Sequence, residues 1–231
     1  LVLTRSRTGN SAFFISLLLV GGLFVLIEKE NRLRNSLILG SIILIDVLII
    51  SQYFGLEQLK DRLVNTQLRD VVVEGVVVQK STEDRPDVFA YALPLLLEKP
   101  LTGQGAGSFE AVFPQYPGAD IRAHFDHAHN DYLEFGIEYG LLGSLPLAAF
   151  ILLALWHALR ALWQRQSVYR SGVGFGASMG IIALLIHSGT DFNLQIPANA
   201  ATFIVLCAIA VLAGSHRHAH KRHASPALQD E

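Results

Sequence analysis

HFDHAHNDYLEFGIEYGLLG, residues His124–Gly143, runs after one serine into LPLAAFILLALWHALRALW, residues Leu145–Trp163. The first part gathers three histidines, two aspartates, an asparagine and two glutamates; the second is among the most apolar segments of the chain. Polar chemistry therefore sits at the mouth of a hydrophobic helix. Asp131 and Glu134 have the D-x-x-E spacing of a capping box, which starts the helix near Asn130. From there Asn130, Glu134 and Glu138 share one face, and Tyr132, Phe135 and Tyr139 form an aromatic flank. Gly136, Gly140 and Gly143 make a small-residue stripe where another helix can approach. His129 falls just before the helix start, where free N–H groups favour anions and a neutral imidazole.

Outward from this stretch the apolar pattern repeats. Of 231 residues, 51% are hydrophobic and 16% charged, with a mean hydropathy of +0.39, which excludes an ordinary soluble domain. The spacing predicts membrane spans at Ser11–Ile27, Ser36–Phe54, Ile137–Trp163, Val173–Phe192 and Ile196–Ala213. Asp46 interrupts the second, Pro146 should kink the third, and Pro197 lies in the first turn of the fifth. The fold class expected is thus an all-α polytopic membrane protein of about five transmembrane helices. Its divisions are two spans in 1–54, a large, mainly helical loop in 55–136, three spans in 137–214 and a disordered tail in 215–231. The chain starts at leucine, without a signal-peptide pattern, and reads as the C-terminal part of a longer membrane protein.

Charge orients these spans. The connection Glu28–Asn35 holds Lys29, Arg32 and Arg34; the turn at 160–172 holds Arg160, Arg165 and Arg170; the tail holds Arg217, Lys221 and Arg222. The turn Gly189–Gln195 has no lysine or arginine. The positive-inside rule then places the C-terminus in the cytoplasm and the 55–136 loop outside. Within that loop Leu56–Arg69 reads as an amphipathic helix, Val71–Val78 as a short strand or buried helix, and Arg85–Lys99 as a second helix on the membrane surface. Leu101–Phe109 is a glycine-rich turn and Phe113–Gly118 irregular backbone.

Several constellations invite specific chemistry. His127-x-His129-x-Asp131 matches the front half of an H-x-H-x-D-H metal motif, but Tyr132 stands where the last histidine belongs, and no metal is expected. Gly103, Gly105 and Gly107 lack the Gly-Lys-Ser/Thr of a nucleotide loop, so a flexible turn that lets backbone approach a glycan or phosphate competes with a plain turn. The histidines of the tail, His216 to His223, read as solvated. The single cysteine, Cys207, forms no disulfide framework, and no basic stripe with interleaved aromatics points to nucleic acid. Arg5, Arg7, Arg85 and Arg122 all fall on the outer side, where guanidinium groups could hold a pyrophosphate.

HAHNDYLEFGIEYGLLG, the preceding RPDVFAYALPLLLEKPLTGQGAGSF, the opening TRSRTG and the late HSGTDFNLQIPANA together resemble the O-antigen ligase/polymerase-like membrane proteins of bacteria. The resemblance implies an inner-membrane glycosyltransferase that uses undecaprenyl-pyrophosphate glycans and needs no cofactor. It implies an essential histidine at His129, a loop arginine at Arg85 and a boundary arginine at Arg7, with Arg5 a competitor for the last. Glu134 or Asp131 would fix the tautomer of His129, and Arg5, Arg122, Asn130, Asp131, Gly105 and Gly107 would line the substrate. The partners implied are the lipid-linked donor, the bilayer, and a glycan, lipid A-core or protein acceptor. The expected reaction is glycan transfer to an acceptor hydroxyl at the periplasmic face. The rival is a non-enzymatic transporter or ligand-binding subunit of polysaccharide export, which should carry polar groups at mid-span in broken helices.

Overall fold

A computed structural model describes residues 7–54, 71–73, 76–79, 85–116, 124–165 and 167–215. Two long helices open it, α1 (Arg7–Ile27) and α2 (Arg32–Phe54). A small antiparallel hairpin follows, β1 (Val71–Val73) paired with β2 (Val76–Gln79). Then come α3 (Arg85–Glu98), a single turn α4 (Phe109–Val112) and three long helices, α5 (Asp131–Gln164), α6 (Val168–Ser188) and α7 (Pro197–Ser215). The valine-rich run thus resolves as strand, and Phe113–Gln115, expected irregular, closes as a 3₁₀ turn on the end of α4. The expected helix Leu56–Arg69 and the tail 216–231 lie outside the described residues.

Four helices among the described residues are long and apolar enough to cross a membrane: Thr8–Ile27, Asp131–Gln164, Val168–Ser188 and Pro197–Ser215. The 21 residues of α6 rise about 32 Å at 1.5 Å per residue, close to the thickness of a hydrocarbon core. The remaining expected span falls within α2, a helix of 23 residues. In the bundle α6 packs against α1, α5 and α7, and α5 also packs against α7. The core is built from small side chains with a few large ones: Ala154, Ala158, Ala177 and Ala210 around Ile181 and Phe203. Such residues let helix backbones come close where lipid supplies no hydrophobic drive. At Gly174 a Cβ would lie 2.7 Å from the carbonyl oxygen of Ala158, so α5 and α6 nearly touch there.

α5 is two helices end to end. Gly140 has φ 58 and ψ −168, a conformation that only glycine adopts readily, and it breaks the 34-residue element. Pro146, where a kink is expected, lies six residues further along the same element. The glycine-rich loop plugs the break. Pro100 and Leu101 carbonyls accept from Leu141 and Leu142 N–H at 2.8 and 3.0 Å, and Gln104 and Gly105 N–H donate to the Ile137 and Glu138 carbonyls at 2.7 and 3.0 Å. Backbone freed by the break is therefore satisfied by backbone, as a membrane requires. Contact is so close that a Cβ on Gly103 would lie 2.3 Å from the Glu138 oxygen and one on Gly140 2.5 Å from Gly103 N.

The first half of α5 belongs to a second core outside the bundle. Val88, Ala92 and Leu95 of α3 bury with Phe109, Phe113, Ala128 and Ile137. Phe109 and Phe113 stack at 4.9 Å, and Leu96 closes over Gly136. Of the expected glycine stripe, Gly136 receives α3, Gly140 receives the loop, and Gly143 faces Tyr139 across the break.

Candidate functional site

The site forms where the 124–130 segment meets the turn between α6 and α7. Asn130 caps α5, its side chain accepting from Leu133 N–H at 3.1 Å. The cap is thus Asn130 and not the expected Asp131–Glu134 box, because both carboxylates are used elsewhere. Asp131, buried in the first turn, accepts from Leu194 N–H at 3.0 Å and so fastens the α6–α7 turn to the start of α5. Glu134, also buried, accepts from Ala128 N–H at 2.8 Å and lies 2.7 Å from His127 Nδ1. Tyr132 O–H adds a bond to the Leu185 carbonyl at 2.7 Å.

His129 takes φ 51, a left-handed conformation uncommon outside glycine. Its Nδ1 lies 3.5 Å from Asp191 Oδ1, and the other oxygen of that carboxylate is 3.6 Å from His187 Nε2. Phe192 is the common wall. The ring of His127 stacks on it at 4.5 Å, and that of His129 meets it edge-on at 4.9 Å. Phe125 also meets the His129 ring at right angles, with centroids 6.1 Å apart. Both histidines are thus oriented by an apolar ring and a carboxylate, but by different carboxylates.

This corrects the expected pairing. Glu134 serves His127, Asp131 serves the turn backbone, and the acid beside His129 is Asp191. Asp191, His187 and Phe192 had no assigned role in sequence, although they belong to the late HSGTDFNLQ stretch. Two signals were available: a histidine and an aspartate at i, i+4 on leaving a span, and a turn without the basic residues found in the other connections. The front half of the metal motif does not converge, since His127, His129 and Asp131 each face a different partner. Among the described residues the ligand atoms that do come together are those of Glu110, His124 and Asp126, within 4.8 Å of one another and exposed. These three could hold a cation. The hydrogen bond from His124 Nε2 to Glu110 Oε1, 3.0 Å, holds the imidazole pKa above its ordinary 6.5.

The glycine loop is committed to α5. Gly105 N–H is spent on Glu138, whereas a Cβ on Gly105 or Gly107 would meet open space. Arg7 and Arg85 are the first residues of α1 and α3. Three residues after Arg85, Val88 packs in the same core as Ala128, between the two histidines. Arg5 and Arg122 lie outside the described residues.

The far end of the bundle is basic. Arg165, after α5, pairs with buried Glu28 after α1, and Arg170 donates to the Ala213 carbonyl near the end of α7 at 2.9 Å. The lysine- and arginine-rich connections are therefore gathered at one end, with His129 and Asp191 at the other.

A family model described as O-Antigen ligase matches residues 1–148, well over half of the chain. The chain belongs to the O-antigen ligase family. The match takes in the capped start of α5 with His127, His129 and Glu134, and ends before the turn that holds Asp191. An uncharacterized protein of Haemophilus influenzae is 26% identical over 171 residues, which cover 70% of this chain and 42% of that protein. The chain thus spans less than half the length of this relative. Membership and the four span-length helices mark the chain as part of a polytopic membrane protein, as the resemblance implied.

Proposed function

We propose that the protein transfers a glycan from an undecaprenyl-pyrophosphate donor to an acceptor hydroxyl at the outer face of the inner membrane, with its C-terminus in the cytoplasm. The observation that carries this reading is His129 packed against Phe125 and Phe192 with Asp191 at 3.5 Å, at the end of the bundle opposite the basic connections. The acceptor oxygen attacks the anomeric carbon while the bond from that carbon to the pyrophosphate oxygen breaks. The leaving lipid pyrophosphate takes the bonding electrons, and the hydroxyl proton passes to neutral His129. Asp191 stabilises the imidazolium that forms. Arg7 and Arg85, opening α1 and α3, neutralise the pyrophosphate as charge develops on it. Arginine suffices for this role, so the proposed transfer is metal-independent.

The transporter reading gains little from the break in α5. Discontinuous helices serve transport when their free ends face a ligand. Here those ends are bonded to the loop at Pro100–Gly105. The test is reconstitution of the full-length protein with a lipid-pyrophosphate glycan and candidate acceptors, without nucleotide sugar and with a chelator present. Transfer under those conditions supports the proposal. Substrate movement across the bilayer without glycosidic product would favour the transporter.

A further inference from the structure

At the basic end, away from the proposed transfer site, α1, α2 and α6 enclose a cleft of about 530 Å³. Its mouth carries Asn31, Arg34, Asn35 and Arg165, and its depth is walled by Leu17, Leu39, Ile42 and Phe175. Glu28 lines the same mouth but is tied to Arg165, which leaves Arg34 as the uncompensated charge; it makes no ion pair among the described residues. From Arg34 to Ile42 along α2 is about 12 Å at helical rise. Polar and cationic at the rim, apolar one to two turns deeper, the cleft has the profile of a lipid at a bilayer surface.

We infer that this cleft binds one anionic phospholipid, its phosphate at Arg34 with the Asn31 and Asn35 amides and an acyl chain between α1, α2 and α6. Size and charge favour this occupant over another helix of the full-length protein. A volume of about 530 Å³ falls within the usual range of small-molecule sites. A helix about 10 Å across has no room to run between α1 and α2, since a Cβ on Gly21 would already lie 2.7 Å from Leu39. The net positive mouth suits a headgroup that carries unbalanced negative charge, and lysines and arginines near a membrane surface attract such lipids.

Native mass spectrometry of the delipidated full-length protein, titrated separately with phosphatidylglycerol and phosphatidylcholine, tests this. One phosphatidylglycerol should be retained at roughly tenfold lower concentration than phosphatidylcholine, about 1.4 kcal/mol of preference. Arg34→Ala should abolish the preference and Arg34→Lys should keep most of it, because a phosphate is met by a point charge as well as by a fork. Ile42→Trp, which fills the cleft but leaves the mouth intact, should abolish retention of both lipids at the site. Equal retention of the two lipids, or a preference unchanged in Arg34→Ala, would overturn the headgroup assignment. Undiminished binding in Ile42→Trp would overturn the cleft, and no retained lipid at all would mean that another part of the full-length protein fills it.

Discussion

His127 and Glu134 form an acid–imidazole pair 2.7 Å apart, with the acid 2% exposed and the histidine 33%. Removing the histidine leaves a buried carboxyl with one backbone donor. His127→Ala should therefore lower stability by about 1–3 kcal/mol, and adding Glu134→Gln should recover part of it by removing the buried acid. Thermal unfolding of both variants checks this; equal loss in the single and double variants would contradict the pairing. His124 makes an exposed counterpart. Its folded-state pKa is raised above 6.5 by Glu110, so the contribution of the pair is fully present below 6.5 and lost as pH rises through the raised value. The His124 ring should titrate above 6.5 by NMR and fall back in Glu110→Gln; a midpoint at or below the ordinary value would deny the contact. Sequence spacing located these histidines at a helix mouth, since a cap and an apolar run are local features. It could not say which acid serves which ring, because His127–Glu134 is a local pair whereas His129–Asp191 joins residues brought together only when α5 and α6 pack.

At the scale of elements, the break in α5 at Gly140 is the feature that sequence pattern did not show. A proline inside a span is a visible local signal, whereas Gly140 needs the loop at 100–105 docked against it before its conformation has a reason. Gly140→Ala and Gly103→Ala should each cost about 2 kcal/mol or more, from the backbone conformation together with the clash across the clamp. Pro146→Ala should change stability little. Unfolding in detergent measures all three; a tolerant Gly140 and an intolerant Pro146 would reverse the assignment. The long apolar helices and the α3 helix were legible because each follows from its own residues, whereas the valine run at Val71–Val78 left strand and buried helix open. The 3₁₀ turn at Phe113–Gln115 was not legible, because stacking of Phe109 on Phe113 shapes that segment.

For the molecule as a whole, polarity is the organising fact. Arg165 on Glu28 and Arg170 on Ala213 gather the basic connections at one end, and α5 and α6 carry the chain from there to His129, His187 and Asp191. By the positive-inside rule that basic end should be cytoplasmic. Reporter fusions after Arg34, Arg165 and Arg222 should report cytoplasm, and one at Asp84 periplasm. A periplasmic signal at Arg165 would invert the bundle and put the proposed transfer site on the wrong side for its acceptor.

If the polar end transfers a glycan through His129, single-turnover transfer and lipid-donor binding should part company between the full-length protein and its His129→Ala variant. Donor binding should stay within about twofold of the parent while transfer falls by about a hundredfold or more, the scale of a lost general base. Transfer at the parental rate in His129→Ala, at equal protein level, would contradict that role.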